Sequence, residues 1–467
     1  MLFSSIFFLF YFLPITLGLY YVIPAEKRTA RNVVLLVASL LFYSWGEPVY
    51  VVLMLYSAFF NYYMALLIQK DVTRGRSAKG NLVFAVFVNL LMLGFFKYFG
   101  LLMDTFNDLT GLDISYTALA LPIGISFYTF QAMSYVFDVY YGKVKAQRAF
   151  PKFLLYLSFF PQLIAGPIVK YRDVELQIDD RVCTPERFGL GAKRFLYGLG
   201  KKVLLANNLG ALYTEIGALP DDKVSVLVYW IGIAAYSFQI YFDFSGYSDM
   251  AIGLGRMFGF EFNENFNYPY ISKTVTEFWR RWHMSLSTWF REYVYFPLGG
   301  SRVTVPRHIL NLLIVWALTG LWHGANWNFV LWGMYYGVLL ILEKYIFGKY
   351  LAKTPAWIQH LYCILAFMVG WVFFSITDIG DALHYLSVLF GGGSYAFANM
   401  TTLYYIRTNI LMLLAAGFFS TPYPAKRFEA FAKAHPRIGV AALFGVLVLA
   451  VAYLVFGAYN PFLYFRF

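Results

Sequence analysis

Phe153-Leu-Leu-Tyr-Leu-Ser-Phe-Phe-Pro-Gln-Leu-Ile-Ala-Gly-Pro-Ile-Val169 is apolar enough to lie at membrane depth, yet it cannot continue as one helix. Pro161 lacks a backbone donor and its ring clashes with the carbonyl four residues back; the Gly166-Pro167 pair breaks the run again. Basic residues stand on both sides. Lys143, Lys145, Arg148 and Lys152 precede the segment, and Lys170, Arg172, Lys193, Arg194, Lys201 and Lys202 follow it. Such flanks favour the cytoplasmic side. A broken apolar segment with the same sign at each end therefore reads as re-entrant. Non-helical backbone at that depth survives only where protein buries it or where it lines a wet cavity. The stretch predicts a membrane protein with an interior site rather than a plain bundle of spans.

The surrounding sequence agrees. Of 467 residues, 60% are hydrophobic, 21% aromatic and only 13% charged, against about 25% charged in a soluble domain. Apolar runs recur at 2–23, 33–42, 51–68, 82–99, 203–219, 226–242, 309–321, 357–374 and 438–456. Many are long enough to cross about 30 Å of hydrocarbon. The first has no basic leader and no small-residue cleavage site, so it reads as a retained span. The net charge of +12 sits in short loops between the runs, which is the positive-inside pattern and asks for no nucleic acid. The two cysteines, Cys183 and Cys363, have neither metal nor redox spacing.

Loop charge gives a parity. Lys27, Arg28 and Arg31 fall inside and Glu47 outside. Lys70 to Lys79 fall inside, and Asp104, Asp108 and Asp113 outside. Continued to the end, this predicts an all-α polytopic protein of about a dozen spans plus re-entrant helices, with both termini extracytoplasmic. One integral-membrane domain is expected over 1–467. It divides into N-terminal helices (1–115), a core (116–350), C-terminal helices (351–459) and a tail (460–467).

Two histidines stand out. His323 lies in Thr319-Gly-Leu-Trp-His-Gly-Ala-Asn-Trp327, where an apolar run ends in a turn. An imidazole in hydrocarbon is costly and marks a candidate site, although a neighbouring helix could simply satisfy it. His283 lies in Phe278-Trp-Arg-Arg-Trp-His-Met-Ser-Leu-Ser-Thr-Trp-Phe-Arg-Glu-Tyr293. That mixture suits an interfacial amphipathic helix. It suits equally a basic, aromatic mouth for a phosphate-bearing donor, with Arg280, Arg281 and Arg291 supplying charge. Asp138, Asp243 and Asp249 interrupt apolar sequence and are either functional or paired with buried arginines. His308, His360, His384 and His435 lie near loops. No acid or histidine cluster has metal spacing, so no metal is expected. The tail Asn460-Pro-Phe-Leu-Tyr-Phe-Arg-Phe467 is an aromatic anchor or an outward-facing functional element.

Taken together, Leu121-Pro-Ile-Gly-Ile-Ser-Phe-Tyr-Thr-Phe-Gln131, Phe159-Phe-Pro-Gln-Leu-Ile-Ala-Gly-Pro167, Phe242-Asp-Phe-Ser-Gly-Tyr-Ser-Asp249, Phe278-Trp-Arg-Arg-Trp-His283 and Gly320-Leu-Trp-His-Gly324 strongly resemble the membrane-bound O-acyltransferase family. The branch they look like is the one containing the membrane subunit of bacterial alginate O-acetylation and its peptidoglycan relatives. The resemblance implies a helical core around a through-membrane funnel. It implies His323 as the catalytic histidine, with His283 important in a less settled role. The tail resembles the C-terminal motif of the small partner in teichoic acid D-alanylation, where a tyrosine is thought to hold the acyl group. That implies Tyr464 as an acyl relay, here fused to the acyltransferase.

In this reading acetyl-coenzyme A is the cytosolic donor substrate and no cofactor is permanently bound. Arg280, Arg281, Trp282, Trp322 and Asn326 are candidate substrate-binding residues. The expected partners are membrane lipid, an extracytoplasmic SGNH-hydrolase-like acyltransferase and, through it, a cell-surface polysaccharide. The expected location is the bacterial cytoplasmic membrane. D-alanyl transfer to teichoic acids is the alternative within the family. A transporter or flippase would call for internal inverted repeats, which the sequence does not display. A polytopic glycosyltransferase would call for a large outer loop with an acidic site, and the outer loops are short.

Overall fold

The computed structural model describes residues 1–117, 119–164, 166–457, 460, 461 and 463. All regular structure among them is helical. Among the described residues eight helices are long and apolar enough to cross a membrane, against the dozen spans anticipated, and the N-terminal helical stretch Phe8–Val22 is a shorter apolar element. The protein is a polytopic, all-α membrane protein. By internal contacts it divides into two compact units, Met1–Phe195 with Tyr247–Glu264, and Leu196–Gly246 with Asn265–Phe467.

The first unit holds α1 (Leu13–Val22), α2 (Arg28–Gly46), α3 (Val51–Thr73), α4 (Lys79–Thr110), α5 (Ile125–Tyr140), α6 (Phe150–Ser158), α7 (Phe160–Leu163) and α8 (Tyr171–Asp179). Helix α5 is buried nearly all round, as an apolar helix without a polar face must be. Asn61 on α3 and Asn89 on α4 exchange amide hydrogen bonds of 3.0 and 2.8 Å, the polar glue available to helices in lipid. The opening stretch breaks at the expected place. Phe159 leaves the helix at φ −55°, ψ 110° ahead of Pro161. At Gly166 a Cβ would stand 2.7 Å from the Cα of Gln162, so only glycine lets the chain double back there.

The unit boundary falls within α9 (Pro185–Gly200) and, after α10 (Asn207–Gly217), within α11 (Val226–Met257). The second unit continues with α12 (Val275–Arg281), α13 (Met284–Phe290), α14 (Val305–His323), α15 (Trp327–Leu342), α16 (Gly348–Leu351) and α17 (Ala356–Ser375). It ends with α18 (Ile379–Leu389), α19 (Met400–Phe419), α20 (Pro422–Ala434) and α21 (Pro436–Val455). Its centre is the α14–α15 hairpin. A Cβ on Gly320 would run into the carbonyl oxygen of Phe329, and one on Gly333 into that of Trp316. Small residues at the crossing let two backbones approach closely, the usual device where lipid supplies no hydrophobic drive between helices.

Candidate functional site

His323 is the last residue of α14, and Gly324 turns the chain out of the helix in extended conformation. The imidazole is gripped edge-on by three rings: Trp322 at 5.0 Å between centroids, Trp332 at 4.9 Å and Phe374 at 5.3 Å, with interplanar angles near perpendicular. Trp332 comes from α15 and Phe374 from α17, so the hairpin and its neighbour build the enclosure. Only 4% of His323 is exposed. Aromatic side chains therefore enclose the ring. The second histidine is beside it: the His283 and His323 rings lie 6.5 Å apart at 61°.

His283 is held by a different set of forces. It sits between α12 and α13 with φ 42° and ψ 54°, a left-handed conformation that a histidine adopts at a cost. The main-chain N–H of Met284 donates to Asn265 O at 2.9 Å, fixing the turn. Asn265 Oδ1 accepts from the Ser285 N–H at 3.2 Å and the Ser285 hydroxyl at 2.9 Å, and lies 3.1 Å from His283 Nδ1. An amide oxygen has no hydrogen to give. Nδ1 must therefore carry the proton, which leaves the Nε2 lone pair as the basic atom. Burial pushes the His283 pKa down to about 3, because desolvation disfavours the cation. Phe244 packs against the ring at 4.7 Å.

The turn itself is anchored from below. Glu343, buried near the end of α15, accepts from the N–H groups of Val275 and Thr276 at 2.6 and 2.9 Å, from the Thr276 hydroxyl at 2.6 Å and from the Tyr362 hydroxyl at 3.0 Å. A carboxylate at a helix N-terminus satisfies orphan donors and meets the positive end of the dipole. Glu343 thus fixes α12 and the residues that follow it.

The remaining candidates scatter. Trp322 touches both histidine rings. Trp282 is 2% exposed and packs among Tyr241, Phe266, Phe278 and Trp371, a core position. Arg280 is exposed, and Arg281 is tied to Glu277 at 3.0 Å and to Asn267 O. Asn326 caps α15, its side-chain oxygen accepting from Asn328 N at 3.3 Å, which is a helix-start role. Tyr464 lies outside the described residues. Among the described residues no group of three or more histidine, cysteine or acidic side chains gathers as a metal site.

The sequence pattern of the membrane-bound O-acyltransferase family matches residues 145–379, which hold both histidines and most of their surroundings. The chain belongs to this family. Along its length it is 42% identical to a probable alginate O-acetylase of Azotobacter vinelandii, over 92% of this chain and 86% of that one. It is 41% identical to the protein of the same description in Pseudomonas aeruginosa, over 90% and 81%. It is 32% identical to a peptidoglycan O-acetyltransferase of Helicobacter pylori, over 90% and 86%. Similarity to a teichoic acid D-alanyltransferase of Bacillus subtilis, 30% identical, covers 47% of this chain and 58% of that one.

The protein is an O-acyltransferase of the membrane. Within this acyltransferase the two aspartates of the Phe242–Asp249 block part ways. Asp249 pairs with Arg194 at 2.6 Å, and Arg194 also holds Glu264, the arginine partner anticipated as one option. Asp243 instead meets Lys202. Sequence reasoning missed Asn265, Ser285 and Glu343. Glu343 alone carried a signal, a carboxylate at the end of an apolar run, and it was overshadowed by the basic residue beside it.

Proposed function

We propose that this O-acyltransferase takes an acetyl group from cytosolic acetyl-coenzyme A and passes it across the membrane to Tyr464. From there an extracytoplasmic serine-hydrolase-like partner draws it to O-acetylate a cell-surface polysaccharide. The observation that carries the reading is the pair of neighbouring imidazoles inside an aromatic enclosure. The O-acetylase and O-acetyltransferase descriptions of the long relatives favour acetyl. The D-alanyl relatives match only half the chain.

The donor is anionic and cannot cross the bilayer, but its thioester arm is thin and uncharged. His323 acts as general base. It takes the proton of the acceptor hydroxyl as that oxygen attacks the thioester carbonyl. The C–S bond then breaks and the departing thiolate takes the proton back from the imidazolium. His283, neutral and with Nε2 as its basic atom, stands where it can orient the acceptor hydroxyl. Because His323 is enclosed, the arm must part the edges of Trp332 and Phe374 to reach it. Excluding water in this way protects the acyl group from hydrolysis. A tyrosine suits the relay, since its phenol, with a pKa of about 10, leaves more readily than an alcohol and less readily than a thiol of about 8.5.

Purified protein incubated with labelled acetyl-coenzyme A should carry label on the C-terminal peptide at Tyr464. The Tyr464→Phe protein should bind the donor and carry none there. Wild-type polymer acetylation by Tyr464→Phe would refute the relay.

A further inference from the structure

The first residues of the tail are anchored in the second unit. After α9 the helix widens into a π turn over Lys201–Ala206, an irregularity frequent at functional sites. It carries Lys202, whose ammonium is ion-paired with Asp243 Oδ1 at 2.7 Å, both side chains being 3% exposed or less. The same ammonium donates to Asn207 Oδ1 at 2.8 Å and to the main-chain carbonyl of Pro461. The other carboxylate oxygen of Asp243 accepts from the main-chain N–H of Leu463 at 2.9 Å. The Asn207 amide donates to Asn460 Oδ1 at 3.1 Å.

A buried ion pair alone contributes little, since desolvation offsets its attraction unless further hydrogen bonds fill the remaining valences. Here those valences go to another segment of chain. The cation meets a carbonyl and the anion meets an N–H two residues later, so backbone is recognised in a fixed register. The recognition is charge-assisted on both sides. In the sequence Asp243 is followed directly by Phe244, the ring packed on His283 at 4.7 Å. On the tail side, Leu463 is followed directly by Tyr464.

We propose that Lys202, Asp243 and Asn207 form a docking clamp for the chain's own C-terminal segment. It holds Asn460, Pro461 and Leu463, the last two by their backbone, and so serves the acyl relay. The purpose assigned to the clamp rests on the acyl-relay reading; its existence does not.

Hydrogen exchange of the full-length protein in lipid nanodiscs, resolved to single amides in the C-terminal peptide, tests it. In the wild type the Leu463 amide should exchange about tenfold to hundredfold more slowly than an unstructured amide, the protection due to a bond to a charged acceptor. Asp243→Asn and Lys202→Met should each remove most of that protection while α14 and α15 exchange as before. A wild-type Leu463 amide exchanging at the unstructured rate overturns the clamp without recourse to any variant. Protection that survives Asp243→Asn overturns the assignment of the acceptor. Label from acetyl-coenzyme A on Tyr464, followed in the same samples, judges the relay separately. Protection without label keeps the clamp and removes the relay, and label without protection does the reverse.

Discussion

The two histidines stand 6.5 Å apart, yet the regions that hold them are built on different principles. His323 ends a span and is positioned by packing: a helix hairpin closed by Gly320 and Gly333, with ring edges on three sides. His283 occupies a left-handed turn between two short helices and is positioned by its hydrogen bond to Asn265 Oδ1 and, one step removed, by Glu343. Around His323 the contacts in view are ring against ring. Hydrogen bonding to an amide oxygen fixes the tautomer as well. In the proposed mechanism His323 takes the proton and His283 orients the acceptor hydroxyl.

The sharpest way to break this comparison is to delete the proposed base. His323→Ala should lower acetyl transfer by about 100-fold to 10,000-fold, the usual range for general base catalysis, with the protein still folded in the membrane by size exclusion and thermal denaturation. Gly320→Ala comes next. A methyl has no room against Phe329 O, so overpacking should cost about 1–3 kcal/mol. Melting temperature and activity should fall together, unlike in His323→Ala.

Asn265→Asp sharpens the other side. Burial holds the His283 pKa down at about 3, so in the wild type this ring stays neutral and gives no acid limb near neutrality. A carboxylate facing Nδ1 favours the imidazolium and raises that pKa. The acid limb of the kcat–pH profile should then move upward, with rate lost as pH falls through the new value. An unchanged profile would deny His283 a part in the chemistry. Arg281→Gln should do least. Its pair with Glu277 is partly exposed and worth about 0–1 kcal/mol, so a large rise in the KM for acetyl-coenzyme A would mark Arg281 as a donor-binding residue.

The helical membrane fold was legible because hydrocarbon demands long apolar helices, and the broken stretch at 153–169 announced itself through Pro161 and Gly166. His323 and His283 were legible because ionisable groups are costly in apolar sequence. Their partners were not. Asn265 reaches His283 across 18 residues of chain and Glu343 reaches Val275 across 68, and no local pattern encodes such distances. The helix-capping bond of Asn326 was equally hidden, because it depends on where α15 starts. The Lys202–Asp243 pair was not legible: a buried arginine was the partner expected for Asp243, and the tail that meets the pair lies far along the chain.

The most direct test of the central claim is a structure determined with a non-hydrolysable acetyl-coenzyme A analogue bound. The account predicts the acyl carbonyl lodged beside the two imidazoles, the rings of Trp332 and Phe374 displaced, and His323 within about 3.2 Å of where an acceptor hydroxyl must stand. An analogue bound elsewhere, with those rings still closed on His323, would contradict it.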